Sequence, residues 1–292
     1  MGHKYQRPLL PLIPPVFSKE EILENEYIAG LCDADGYLSV VGNRCLFEVT
    51  QMDTNVHVLE FLQSKLGGRI WQQNRDIARS GRTFYYRVSS KEAMIKLTFM
   101  LNGNVRATSR NEQFQRLCQL LNIDYISPVE LSKESAWYAG MFDGDGSISF
   151  TFDEKRNTLM KVTSKYAADV GLFLKDFGGR VMPHGTGAFN WSVTSKAEII
   201  PFANYLKSIP LKSNKKVRVD LVNKYYELSK NKPLAKDSPY YQDWLALSEQ
   251  WFDNGADIYR KDCTGRPYTA KAREERRLDL EEKGEKGVKK TP

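Results

Sequence analysis

The feature that most constrains this chain is that it says the same thing twice. Tyr27-Ile-Ala-Gly-Leu-Cys-Asp-Ala-Asp-Gly36 is answered by Tyr138-Ala-Gly-Met-Phe-Asp-Gly-Asp-Gly146, at an offset of 110 residues. Leu66-Gly-Gly-Arg-Ile70 is answered by Phe177-Gly-Gly-Arg-Val181, Val88-Ser-Ser-Lys by Val193-Thr-Ser-Lys, and Val49-Thr-Gln51 by Val162-Thr-Ser164, at offsets of 111, 105 and 113. Order is kept while loop lengths drift, so one folding unit is used twice.

Each copy carries the same succession of patterns. A helix ends on the acidic pair, over 20–35 and 133–145, and two strands follow, over 37–42 and 44–51, then 146–152 and 158–164. An amphipathic helix over 53–66, and over 165–177, stops at a Gly-Gly pair. A second hairpin pairs 69–75 with 83–89, and 180–184 with 188–194, before helices over 91–101 and 108–122, and over 196–207 and 213–229. The expected class is α+β, two α-β-β-α-β-β-α units of four antiparallel strands with helices on one side. The expected division is an arm over 1–19, a first repeat over 20–122, a linker over 123–132, a second repeat over 133–229, and an extension with a basic tail over 230–292. An aromatic helix over 239–260, with Trp244 and Trp251, is expected to dock on the body.

Composition narrows the classes. A hydrophobic fraction of 41% over 292 residues supports two modest cores and excludes a wholly disordered chain. The net charge of +7 suits a polyanionic partner without requiring one. Cys32, Cys45, Cys118 and Cys263 lie too far apart for a CxxC zinc site or a disulfide framework, which fits a reducing interior compartment. His3, His57 and His184 are too scattered for a zinc site. No apolar run approaches the ~18 residues that span a bilayer, the N-terminal arm lacks a signal-peptide core, and no membrane partner is expected. Neither a serine nucleophile elbow nor a glycine-rich phosphate loop is present.

The two acidic helix ends are the anomaly. A helix C-terminus carries partial negative charge, so an acid there costs about 0.3–1 kcal/mol. Ala29, Gly30 and Ala34, and Ala139, Gly140 and Gly144, put small residues on one face of each motif helix, and glycine inside a helix costs about 1 kcal/mol unless packing needs it. The economical geometry packs the two helices against each other. Asp33, Asp35, Asp143 and Asp145 then meet at one place, and hard divalent cations with oxygen ligands relieve their repulsion. One such ending alone would be a simple helix cap. A calcium loop fails in both copies: counting from Asp143, Ile148 takes the position that needs glycine, and in the first copy Arg44 takes that of the last ligand.

These segments, Ile28-Ala-Gly-Leu-Cys-Asp-Ala-Asp-Gly36 and Tyr138-Ala-Gly-Met-Phe-Asp-Gly-Asp-Gly146, resemble the paired signature motifs of the LAGLIDADG homing endonucleases in their single-chain, two-repeat form. The resemblance covers about residues 20–229. It implies a monomeric, pseudo-twofold saddle whose sheets lie in the major groove of double-stranded DNA, with two active sites at the base of the motif helices. It implies hydrolysis of phosphodiester bonds in both strands of one long target, leaving short 3′ overhangs, and an origin within an intron. The final acids, Asp35 and Asp145, would bind Mg2+, with the Ala34 and Gly144 carbonyls as further ligands; Mn2+ would substitute, and Ca2+ would bind without supporting cleavage. Gln51, with Ser164 opposite, would order water, and the assisting basic residue matches Lys212, with Arg106 in the first repeat. Gln51 and Ser164 differ, which makes the two halves unequal, and whether the two strands are cut at equal rates is left open. The alternative on the same scaffold is a maturase that assists splicing of its host intron RNA. The host and compartment, whether an organelle or a microbial cytoplasm, are left open.

The strands supply the reading surface. Phe84, Tyr86 and Val88 alternate with Thr83, Tyr85 and Arg87, and Trp191 and Val193 with Asn190, Ser192 and Thr194, so one face is core and the other polar. Arg44, Gln72, Asn74, Arg75, Arg82, Lys161 and Arg180 complete the candidates for base contact.

Overall fold

The computed structural model describes residues 13–73, 83–185, 187–234 and 238–252. Asn74, Arg75 and Arg82, the end of the aromatic helix and the basic tail lie outside the described residues.

The first motif helix, α1 (Lys19–Asp35), begins with a capping box: Ser18 Oγ accepts from the Glu21 amide, and the Glu21 carboxylate accepts from the Ser18 amide at 2.8 Å. It runs into β1 (Gly36–Val41), which pairs antiparallel with β2 (Arg44–Met52). After α2 (Val56–Leu66), β3 (Arg69–Gln73) and β4 (Thr83–Val88) complete a sheet of order β1-β2-β4-β3. Helices α3 (Lys91–Leu101) and α4 (Thr108–Leu121) close the unit.

The second unit repeats this with α5 (Trp137–Asp145), β5 (Gly146–Phe150), β6 (Thr158–Ser164), α6 (Ala167–Phe177), β7 (Arg180–His184) and β8 (Ala188–Val193). Its sheet order is β5-β6-β8-β7, and α7 (Lys196–Ser208) and α8 (Lys215–Ser229) follow. The expected α-β-β-α-β-β-α arrangement is therefore present in both copies. Helix α5 starts at Trp137 rather than at 133, because Ser132–Ser135 form a turn and Glu26 of α1 takes the Ala136 amide at 2.8 Å. One motif helix thus caps the other.

Both sheets bury their alternating apolar face under the helices. Phe47, Val49, Tyr86 and Val88 join Val58, Leu59 and Leu62 of α2; Met160, Val162, Trp191 and Val193 join Val170, Phe173 and Phe177 of α6. Gly68 and Gly179 sit at φ of +80° and +81°, where a Cβ would lie 2.6 Å from Arg87 O and 2.5 Å from Ser192 O. Only glycine carries the chain from the helix into the sheet there. The described part of the aromatic extension, α9 (Tyr241–Phe252), lays Trp251 on Phe150 at 4.7 Å between ring centroids, and the Trp244 indole donates to Phe152 O. The linker is pinned to the first repeat: Asn102 donates to Asp124 O and accepts from the Ile126 amide. Among the described residues no helix is long and apolar enough to cross a membrane.

The motif helices α1 and α5 cross in backbone contact. A Cβ on Gly30 would lie 2.0 Å from Trp137 O, and one on Gly140 the same distance from Tyr27 O. The two helical glycines are the crossing point.

Candidate functional site at the crossing of the motif helices

The inner acid of each motif is structural wiring. Asp143 Oδ2 accepts from the Tyr27 hydroxyl at 2.6 Å and from the Lys212 and Ser213 amides at 2.6 and 3.1 Å, and the Ser213 hydroxyl donates to its other oxygen. Asp33 Oδ2 accepts from the Trp137 indole and the Arg106 amide, both at 2.8 Å. The ties are reciprocal: Tyr27 on α1 holds the acid of α5, and Trp137 on α5 holds the acid of α1. Each acid also anchors the chain just before its own repeat's last helix.

The outer acids stand at the crossing itself. Gly144 has no side chain because a Cβ would lie 2.3 Å from Ala34 Cβ and 3.1 Å from Asp35 Oδ2, so the Asp35 carboxylate reaches the partner helix. Burial raises Asp35 above the usual carboxylate range, against the opposing pull of Lys215 and Gln51. Burial, and next the charge of Asp35, push Asp145 up to about 7. Gln51 Nε2 donates to Asp35 Oδ2 at 2.6 Å, whereas no described residue donates to Asp145. Two half-buried carboxylates, of which Asp35 opposes the ionisation of Asp145, are relieved by a cation between them.

A basic group does reach each motif, but not the expected one. The Lys212 ammonium lies 5.0 Å from the Phe61 ring centre, and Arg106 stacks 6.0 Å from that of Trp137 with Nη1 on Val129 O. Only the amides of Lys212 and Arg106 serve the site, through Asp143 and Asp33. Lys215, half-buried in the first turn of α8, instead donates to Phe142 O, Asp143 O and Gly144 O at 3.0, 2.5 and 3.1 Å. Arg110 Nε donates to Cys32 O at 3.1 Å in the other motif. These cations sit on carbonyls at the negative ends of α5 and α1, where positive charge is favourable. Burial lowers the Lys215 pKa while Asp143, Asp35 and Asp145 pull it back up. The sequence points to the right loop but to a lysine three residues too early; a helix start at Lys215 is the signal that separates the two.

Ser164 also departs from expectation, donating to Asp169 Oδ2 at 2.9 Å rather than to Asp145. Asp169 Oδ1 crosses the repeat boundary to accept from the Thr108 amide and hydroxyl at 3.0 and 2.8 Å. In the opposite direction, Asn55 accepts from the Asn214 amide at 3.1 Å. Each repeat therefore fixes the helix start that carries the other's cation, Arg110 on α4 and Lys215 on α8. Asp169, Asn55 and Arg110 escape a reading of the sequence, and Lys215 reads there only as a phosphate or solvent contact, because these pairings join residues far apart in the chain.

Among the described residues no cluster of three or more His, Cys, Asp or Glu is arranged to hold a metal. The donor set that fits one is two carboxylates with backbone carbonyls and substrate oxygens, which is how Mg2+ is commonly held. Gly144 O, expected as a ligand, is shared with Lys215.

The open faces of the sheets carry most of the expected readers. Arg44, Tyr85 and Arg87 face away from the helices in the first sheet, as do Lys161, Arg180, Asn190 and Ser192 in the second, and exposed Thr194 follows β8 directly. Gln72 does not: it pairs with Phe84, on the helix side, so Trp71 and Gln73 take the outward positions of β3. The physical reason is the two-residue alternation along the strand, which places Gln72 on the same side as Ile70, a core neighbour.

No family model matches the sequence. The chain is 36% identical over 251 residues to the intron-encoded RNA maturase bI4 of Saccharomyces cerevisiae, across 82% of this chain but 38% of that protein. It is 28% identical over 240 residues to the intron-encoded DNA endonuclease ai2b of Dictyostelium discoideum, across 77% of this chain and 88% of that one. The chain thus spans under two fifths of the yeast relative's length. Among solved structures it is similar to the LAGLIDADG homing endonuclease I-LtrWI bound to target DNA, with a TM-score of 0.57 at 17% identity, over 79% of this chain and 97% of that one. The meganuclease I-AabMI bound to uncleaved DNA also gives 0.57, at 13% identity, over 77% and 98%. With its paired motif helices crossing on glycine and its two four-stranded sheets, the chain has the two-repeat fold of the LAGLIDADG endonuclease structures.

Proposed function

We propose that this chain is a monomeric, site-specific, intron-encoded homing endonuclease that cuts both strands of a double-stranded DNA target by phosphodiester hydrolysis with Mg2+. The observation that carries it is the meeting of Asp35 and Asp145 at the glycine crossing, both half-buried and both raised in pKa. A chain that had kept the fold only for binding would have no use for two acids that oppose each other there.

The side chains divide the work. Asp35 and Asp145 would hold the metal, which when bound would neutralise phosphate charge and acidify water. Gln51 fixes one Asp35 oxygen and leaves the other to bind. Lys215 and Arg110 place positive charge beside the two motif ends, where charge builds on the phosphate as water attacks phosphorus and the 3′ oxygen leaves. The open sheet faces hold the duplex by phosphate and base contacts.

The test is incubation with intronless host-gene DNA and Mg2+. A double-strand cut that Asp145→Asn abolishes while DNA binding persists supports the reading. The yeast relative favours a second reading, an RNA maturase, on the strength of its name and its 36% identity. Faster splicing of the intron RNA with no DNA cut would select it.

A further inference from the structure

The two open sheet faces sit in matching positions of a duplicated fold, yet their chemistry differs row by row. Across the second sheet, one row reads Ser147, Lys161, Ser192, Arg180, and the next Thr163, Asn190, Met182. The matching rows of the first sheet read Tyr37, Glu48, Arg87, Arg69, and then Thr50, Tyr85, Trp71. In the first sheet the central arginine is spent inside the protein: Arg87 pairs with Glu48 at 2.6 Å and lies 5.5 Å from the Tyr85 ring centre. Lys161 and Arg180 have no carboxylate partner among the described residues.

Beside the exposed Arg44 and Arg69, the first sheet offers an apolar feature that the second lacks. Trp71 and Tyr85 stack on each other, with centroids 5.3 Å apart and planes at 20°. Trp71 is 38% exposed and Tyr37 in the adjoining row 52%. A contiguous aromatic ridge on an open sheet needs a partner that covers it.

We propose that the two halves of the DNA target are read by different chemistry, and that the Trp71–Tyr85 ridge reads thymine 5-methyl groups in the half-site under the first sheet. This rests on the endonuclease reading and deepens it. In the major groove only thymine presents a methyl among hydrogen-bonding edges, and apolar side chains are its complement. The alternative use of aromatics, stacking on unpaired bases, needs free ring faces. Tyr85 has none to spare, with Trp71 on one side of it and Arg87 packed against it. The ring edges and the outer face of Trp71 remain, an apolar surface on which a methyl can pack. The second sheet reads its half-site through Lys161, Asn190, Ser192 and Arg180 by hydrogen bonds.

The experiment is selection of bound duplexes from a randomised pool in Ca2+. Positions whose preference changes in Trp71→Ala mark the first half-site, and those that change in Asn190→Ala the second. Both residues face solvent, and the decisive arm uses the unaltered protein. In the selected duplex, thymine is replaced by uracil, which removes only the methyl. The expected result is thymine enrichment in the first half-site, with affinity falling about fourfold per methyl there, as burial of one such group implies, and by less than twofold in the second. An equal effect in both halves, or none in the first, overturns the proposal. So does a Trp71→Ala protein that binds duplex unchanged but loses affinity for single-stranded intron RNA. If the unaltered protein enriches no sequence at all, the endonuclease reading falls and this inference with it.

Discussion

Replacing Gly30 by alanine tests the crossing on which the site depends. The added Cβ would lie 2.0 Å from Trp137 O, 2.8 Å from Met141 N and 2.9 Å from Trp137 C, all backbone atoms of the facing helix. No rotamer relieves that overlap. Restoring a contact near 3.5 Å means separating α1 and α5 by roughly 1.5 Å. The residues buried along the two helices, among them Ile28, Leu31, Cys32, Met141 and Phe142, are fully or almost fully buried. A gap of that size forfeits at least half of each of roughly 50 atom contacts worth ~0.15 kcal/mol, which gives about 4 kcal/mol. A typical domain has only about 5–15 kcal/mol in total. Gly171 in α6 provides the control, since its Cβ would meet nothing within 4 Å. Gly171→Ala should instead stabilise by about 0.8 kcal/mol, the helix-propensity difference. The assay is equilibrium denaturation in urea of both variants without metal. If Gly30→Ala lies within about 1 kcal/mol of the unaltered protein, well below the loss expected from such a gap, the helices are not in backbone contact and the acids do not meet as described.

Lys215→Met should abolish cleavage while retaining DNA binding, whereas Lys212→Ala should keep near-normal cutting; the reverse result in a plasmid cleavage assay would restore the sequence-based register. Asp169→Asn weakens the hold on Thr108 and Ser164, so it should cost about 1–2 kcal/mol in stability and slow one strand selectively. Open-circular plasmid would then accumulate, and proportionate slowing of both strands would refute the cross-repeat role. The pH dependence follows from Asp145, raised from 3.8 to about 7. The folded protein keeps that proton to higher pH than the unfolded chain does, so stability of the metal-free protein should fall as pH rises from about 4 to 7, by up to about 1 kcal/mol per unit. Burial also raises Asp33 to about 7, so Asp145→Asn should reduce the slope without abolishing it, and urea titrations that show no slope in the unaltered protein would contradict the raised values.

The architecture is legible in the sequence alone, because a duplicated pattern repeats its periodicities. Alternation in 83–88 marks the strand and its two faces, Gly67-Gly68 and Gly178-Gly179 mark the helix stops, and Gly30 and Gly140, unfavourable inside helices, mark the helix pairing. The motifs also separate Asp33 and Asp143 from Asp35 and Asp145. What they leave undecided is which cation serves each motif. Lys212 and Lys215 are three residues apart in one loop, and only the fold shows that the first gives its amide to Asp143 while the second brings its ammonium to the helix end. Nor does the sequence show that Asp169 holds the start of α4 and Asn55 the amide of Asn214. Those contacts join one repeat to the other, and local pattern carries no information about which distant residue fills a vacant hydrogen bond. The motif spells out where charge collects; the crossing of the two helices decides what balances it.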